Sequence, residues 1–250
     1  MRKFGLIGYP LGHSFSKKYF AEKFSRENIV ECSYENYQME SLNCFREMVT
    51  GDDELCGLNV TIPYKTEILR YIDVSEPSMM TIGAANVLKF RRQTGKVQIY
   101  GFNSDVTGIR ESVRLYFRDN AGNALILGTG GSSRAVVYTL KNMGFSVTLV
   151  SRTQREGVIT YRDLDSSILE KTDLIVNTTP LGMYPGIHSK PDINYSLLND
   201  RHILFDLVYN PEMTEFLSKG KEQGCRIITG LKMLYIQAER SWEIWNDPNL

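Results

Sequence analysis

Three polar clusters in the first half of the sequence carry the residue types of acid–base chemistry and of hydrogen-bonded ligand recognition: His13-Ser14-Phe15-Ser16, the run Asn59 to Lys65 (NVTIPYK), and Asn103-Ser104-Asp105. Each falls at a strand end or turn of the pattern described below. Open α/β sheets bind ligands outside the carboxyl ends of their strands, so such clusters can converge on one crevice. A lysine and an aspartate there could hold and move a proton, while hydroxyls and amides orient a ligand. Each cluster also has a structural explanation: Ser16 as a helix cap, Asn86 as a turn residue, Lys65 as a surface lysine. The residues by themselves leave both readings open.

The second half holds a different signal. Gly128-Thr129-Gly130-Gly131-Ser132-Ser133-Arg134 follows an apolar run and opens a helical one. Gly128 permits a tight turn, and Gly130 lets backbone N–H groups approach a pyrophosphate whose charge the helix N-terminus stabilises. The alternative is a strand-to-helix turn that is merely rich in glycine. An NAD-selective site ends its second strand in Asp or Glu, which accepts from the ribose 2′-hydroxyl. Here the place holds Ser151-Arg152-Thr153, and a guanidinium suits the 2′-phosphate of NADP. Arg152 as a solvated residue at a strand end is the competing view.

The elements that must position these residues alternate in the manner of an α/β layer fold. FGLIGY reads as a strand, KKYFAEKFSREN as a helix, CSYENYQ as extended, LNCFREMV as helical and CGLNVTIP as a buried strand. Pro63 suits the first position of a helix over YKTEILRYI, which predicts Lys65 in that helix's first turn. NVLKF and VQIYGF flank a hairpin turn at Gly95. Beyond Asp105, VTGIRESVRLYF reads as a connecting helix, then GNALILG opens a strand–turn–helix–strand unit. DLIVNTT, HILFDLVY and CRIITG are further strands, with Gly224 stopping the helix over TEFLSKGKEQ. The final segment places Leu231, Leu234, Tyr235, Ala238, Trp242 and Trp245 on one helical stripe, read as packing onto the first domain.

Bulk properties narrow the classes. The chain has 29 basic and 29 acidic residues, and a neutral balance argues against a nucleic-acid or membrane-surface binder. No apolar run approaches the length of a membrane helix. The four cysteines are far apart, which predicts reduced structural thiols and a cytoplasmic protein. His13, His188 and His202 lack companion ligands, and no metal is expected.

Taken together, HSFS, NVTIPYK, GAANV, GFNSD, GTGGSSR, SRT, NTTPLGM, DLVYNP and GLKMLYIQA resemble the shikimate dehydrogenases, in the order and roughly the spacing of the shikimate/quinate dehydrogenase family. The resemblance runs nearly the full chain. It implies two domains separated by a cleft: a substrate domain over residues 1–106, rejoined by a C-terminal helix 229–250, and an NADP-binding Rossmann domain over 107–228. The implied reaction is reversible NADPH-linked reduction of 3-dehydroshikimate to shikimate, in aromatic amino-acid and chorismate biosynthesis. By the same resemblance Lys65 and Asp105 flank the reacting carbon, and Ser14 and Ser16 hold the substrate carboxylate. Thr61, Asn86 and Gln237 bond the ring hydroxyls and Tyr209 also reaches the substrate. Cofactor contacts fall to Gly128, Gly130, Gly131, Ser132, Arg134, Ser151, Arg152, Thr153, Thr179, Gly230 and Met233.

The sequence departs from the family pattern at several places. Ser151 replaces the usual Asn, Glu156 stands where a second basic residue often follows, and the helix after SRT is expected to be short or missing. Arg155 or Arg134 could compensate at the 2′-phosphate. Val106, Lys17 and Thr229 replace the usual Gly, Pro and Asp beside the site. Two further readings therefore stand: a relative acting on quinate or a related ring acid, and a non-catalytic nucleotide-binding module. A monomer and a homodimer are both compatible with the sequence.

Overall fold

The computed structural model describes residues 1–12, 15–93, 95–117 and 121–250, so His13 and Ser14 lie outside the described residues. Two compact units form: Met1–Ser104 with Ala238–Leu250, and Asp105–Gln237. The sequence pattern puts the breaks at 106 and 229. Here they fall at 104 and 237, with the last helix running through the second.

The first unit contains β1 (Arg2–Gly8), α1 (Phe15–Arg26), β2 (Cys32–Gln38), α2 (Phe45–Gly51), β3 (Leu55–Val60), β4 (Val74–Ser75), α3 (Pro77–Ile82), β5 (Val87–Gln93) and β6 (Lys96–Phe102). Its sheet runs β2-β1-β3-β5-β6-β4, parallel from β2 to β3 and antiparallel through β5 and β6. Alternation along β1 feeds two cores: Phe4 and Leu6 join α1's Phe20 and Phe24 with Trp245 on one face, while Ile7 meets α2's Phe45 and Val49 on the other. Gly57 is required by this packing. A Cβ there would lie 2.3 Å from Trp245 Nε1, whose N–H donates to the Leu88 carbonyl at 2.9 Å.

The second unit contains α4 (Asp105–Val113), β7 (Asn123–Leu127), α5 (Gly131–Asn142), β8 (Ser146–Ser151), β9 (Val158–Thr160), α6 (Ser166–Lys171), β10 (Leu174–Asn177), β11 (Ile203–Asp206), α7 (Glu215–Glu222), β12 (Arg226–Ile228) and α8 (Gly230–Asn246). All six strands are parallel in the order β9-β8-β7-β10-β11-β12. This is the doubly wound Rossmann order, and it puts the topological switch between β7 and β10. Leu125, Leu127, Ile175 and Leu204 pack under Leu169 of α6 and Phe216 and Leu217 of α7. Gly224, at φ +82°, follows α7 in the left-handed conformation expected of a helix stop.

Two expectations change. Lys65 does not sit in a helix: Ile62–Thr66 form turns, and a 3₁₀ helix covers only Glu67–Tyr71. The Lys65 carbonyl accepts from the Ala85 N–H at 2.8 Å, leaving Leu69 N–H to bond Thr66 O instead. Ile68 N–H makes one i→i−4 bond to Tyr64 O at 2.9 Å, but Leu69 N–H turns to the i−3 carbonyl, so the segment closes as a short 3₁₀ helix. The stripe on α8 differs in part. Ala238 and Trp245 are buried and Trp242 packs with them against Phe4 and Phe20 of the first unit as expected, while Tyr235 is 43% exposed. Met233, Gln237 and Ser241 are buried as well, and two of these are polar, which a reading for apolar residues passes over.

Candidate active site

In the first unit the predicted substrate residues hang on a buried chain of neutral hydrogen bonds. Tyr34 donates its hydroxyl to Asn59 Oδ1 at 2.9 Å. Asn59 Nδ2 in turn donates to Asn86 O at 3.2 Å and Ser241 Oγ at 2.9 Å. Asn86 spans to Ser104: its Nδ2 donates to Ser104 Oγ at 3.0 Å, and its Oδ1 accepts from Ser104 N at 2.7 Å. Ser16 lies in the first turn of α1, inside the helix rather than capping it, and bonds the Tyr34 hydroxyl. Burial raises the Tyr34 phenol far above its ordinary range, with the Ser16 bond opposing, so it stays a neutral donor. Thr61 follows β3, its N–H on Ile7 O at 2.9 Å. Lys65 is half-buried in the turn beyond.

In the second unit Asp105 opens α4 and is buried. One turn on, Gly108 brings that helix against α8: a Cβ there would lie 2.8 Å from Met233 O and 3.5 Å from Gln237 Cβ. Only glycine allows the two backbones so close. Asp105, Met233 and Gln237 are thereby grouped on two packed helices, because residues three apart share a helix face.

The glycine turn sits at the switch point. Gly128 adopts φ +111°, and a Cβ there would come within 2.7 Å of Thr178 Oγ1. Ser133, part of the motif but given no role from the sequence, donates to Gly128 O at 2.9 Å and pins the turn. Gly130 is the N-cap of α5 and supplies no side-chain acceptor, while a Cβ at Gly130 would meet nothing within 4 Å. The first-turn donors at Gly131 and Ser132 thus lack the usual cap and border open space, as an anion site requires. Arg134 is exposed on the same helix.

At the end of β8, Ser151 is buried and its Oγ accepts from Thr153 N at 3.3 Å, with Arg152 and Thr153 exposed. The loop beyond is short: Arg155 bridges to Val158 and β9 begins at once, with no helix between. Tyr161, its phenol raised by burial, feels the opposing positive charge of Arg152.

The sequence reading also missed a buried hub. Asp206, fully buried at the end of β11, accepts from Asn177 Nδ2 at 2.9 Å, Val208 N at 2.9 Å and Thr214 Oγ1 at 2.6 Å. Asn177, ending β10, accepts from Thr179 N at 3.0 Å and Thr179 Oγ1 at 2.7 Å. The available signal was the single acid closing the apolar run ILFD. Tyr209 and Gly230 lie beside this hub in sequence or space. A Cβ at Gly230 would strike the carbonyls of Asp206, Leu207 and Val208 at 2.9 Å or less. His202 is buried between Asn199 and Leu169 O, a structural role.

A doubly wound sheet with an uncapped glycine turn at its switch point, in one chain with a second α/β unit that carries hydroxyls, amides and a lysine, defines a dinucleotide-dependent oxidoreductase. Residues 6–88 match the family model described as the shikimate dehydrogenase substrate binding domain. The chain is 34% identical over 258 residues to the NADP(+) shikimate dehydrogenase of Methanococcus aeolicus, spanning 96% of this chain and 90% of that one. It belongs to the shikimate dehydrogenase family. Among solved structures, shikimate dehydrogenase 1 of Peptoclostridium difficile superposes with a TM-score of 0.83 at 33% identity, covering 99% of this chain and 92% of that one. The Thermus thermophilus enzyme in complex with NADP(H) and shikimate gives 0.85 at 28% identity, covering 100% and 96%.

Proposed function

We propose that the protein catalyses the reversible, NADPH-dependent reduction of 3-dehydroshikimate to shikimate, an oxidoreductase step of chorismate and aromatic amino-acid biosynthesis. The observation that carries the reading is whole-length kinship with NADP-dependent shikimate dehydrogenases. The open, uncapped start of α5 fits the nucleotide's pyrophosphate.

NADPH, when bound, supplies the hydride. Lys65 acts as an ammonium whose Nζ delivers a proton to the substrate's carbonyl oxygen as negative charge develops there, and Asp105 is its catalytic partner. Ser16 and Ser14 donate to the ring carboxylate, while Thr61, Asn86 and Gln237 bond the ring hydroxyls and Tyr209 also reaches the substrate. Leaving the buried polar groups of Ser16, Asn86 and Gln237 unpaired disfavours ligands without matching groups, so this set confers specificity. Met233 supplies an apolar wall for the nicotinamide. Gly128, Gly130, Gly131, Ser132 and Arg134 receive the pyrophosphate, with Thr179 and Gly230 completing the cofactor side. Arg152, with Ser151 and Thr153, selects the 2′-phosphate, because the acid that would favour NAD is missing. The four free thiols accord with a cytoplasmic setting.

Absorbance of the reduced nicotinamide, followed with shikimate and NADP, then NAD, then quinate with each, tests the reading. Reduction of NADP by shikimate is expected to dominate. Silence in every mixture overturns the activity, and a faster reaction with quinate overturns the substrate.

A further inference from the structure

The hub on Asp206 has no part in the chemistry above, yet its carboxyl is fully buried and accepts three hydrogen bonds. A carboxylate in a core is costly to desolvate and persists only with dedicated donors. Here the donors come from three separate segments: Asn177 at the end of β10, Val208 in the loop after β11, and Thr214 where α7 begins. Each then does a second job. Asn177 Oδ1 holds both the N–H and the hydroxyl of Thr179, its Nδ2 also reaches Leu181 O at 3.2 Å, and Thr214 Oγ1 accepts from Leu217 N to cap α7.

The consequences converge on the carboxyl edge of the sheet. Thr178 N and Oγ1 donate to Leu127 O at 2.9 and 2.7 Å, so the segment fixed by Asn177 abuts the glycine turn. The backbone that Asp206 holds at Val208 is the surface against which Gly230 starts α8. One side chain thus braces the segments carrying Thr179, Tyr209 and Gly230.

We propose that Asp206 is a positioning residue for the dinucleotide: acting through Asn177, Val208 and Thr214, it locks the segments after β10 and β11 into the geometry that receives the cofactor. This rests on the reading of the chain as an NADP-dependent enzyme. Burial pushes the carboxyl up to about 7 against the three donors that favour its anion, which marks the cost at which this acid is kept in the core. Asparagine could replace most of its contacts, accepting from Asn177 and Val208 through Oδ1, whereas alanine takes the acceptor away from all three donors.

The test compares Asp206→Ala, Asp206→Asn and Thr214→Val with the parent enzyme. The readouts are NADPH dissociation measured by nucleotide fluorescence, kcat against KM, and amide exchange at Thr179, Val208 and the core residue Leu125. Asp206→Ala is expected to weaken NADPH binding about tenfold, the scale of a lost charge-assisted hydrogen bond. Exchange should quicken at Thr179 and Val208 but not at Leu125. At saturating NADPH, kcat should stay within about twofold, since the residue acts on binding. Asp206→Asn should recover most of the affinity, and Thr214→Val should fall between the two. Folded variants that bind NADPH as the parent does overturn the inference while leaving the activity intact. Failure of Asp206→Asn to fold also overturns it, because the hub would then serve the fold rather than the binding segments. A parent enzyme that binds no NADPH removes the activity and the inference together.

Discussion

The two units solve the same problem, holding polar side chains at the carboxyl edge of a sheet, with opposite chemistry. In the first, Tyr34, Asn59, Asn86, Ser104 and Ser241 form a chain of neutral donors and acceptors. In the second, the Asp206 carboxyl braces the cofactor side. A neutral network avoids the desolvation cost of a buried charge and is insensitive to pH. A charged hub forms stronger bonds but ties its region to a proton equilibrium. The difference teaches that the substrate side is built for constancy and the cofactor side for strong bracing.

The widest gap between the units should appear on removing the proposed acid. Lys65→Ala is expected to lower kcat by roughly a hundredfold or more while leaving NADPH affinity and melting temperature near those of the parent. Steady-state rates with parallel thermal melts check it. Near-normal turnover would remove the catalytic role from the first unit.

The proton equilibrium itself gives the next effect. The Asp206 carboxyl titrates near 3.8 when unfolded and about 7 when folded. Below the lower value both states are protonated. Between the two the unfolded chain sheds the proton first, so stability falls as pH rises, and the loss is complete above about 7. The contribution is on the order of a few kcal/mol. Melting curves from pH 4 to 8 should therefore slope downward more in the parent than in Asp206→Asn. Parallel curves would mean the carboxyl is ordinary.

Selectivity sharpens the contrast from the cofactor side. Arg152→Ala should weaken NADPH binding about tenfold and leave NADH unchanged, since a guanidinium pairs with a 2′-phosphate and not a hydroxyl. Equal losses for both nucleotides would place the phosphate contact elsewhere in the short loop before β9. The smallest effect belongs to the neutral network. Ser241→Ala removes one acceptor from Asn59 and should cost about 1 kcal/mol, with a modest rise in KM for shikimate and no pH dependence. A calorimetric melt and substrate titration at two pH values would expose any charge hidden in that network.

The alternating strands, the hairpin at Gly95 and the glycine turn were legible because period and turn chemistry are local properties. The absence of a helix after Ser151-Arg152-Thr153 was legible too, from the short distance to the next apolar run. What escaped depends on partners distant in sequence. Lys65 lies in a turn rather than a helix, with its carbonyl bonded to Ala85 N–H, a pairing no local rule foresees. Asp206 looked like the end of a strand, because its donors lie 29, 2 and 8 positions away. Helix α6 is too short for periodicity, and only its cap, Asp165 accepting from Ile168 N at 2.9 Å, marks it.

Trp245 seated over Gly57 has a consequence for the order of assembly. Residues 238–250 complete the first unit, whereas the second is one uninterrupted stretch from Asp105 to Gln237. The nucleotide-binding stretch is therefore made whole before the chain returns at 238 to lay Trp245 over Gly57 and against Phe4 and Phe20, so closure of the first unit waits on a segment synthesised after the second, reversing the usual amino-terminal-first order.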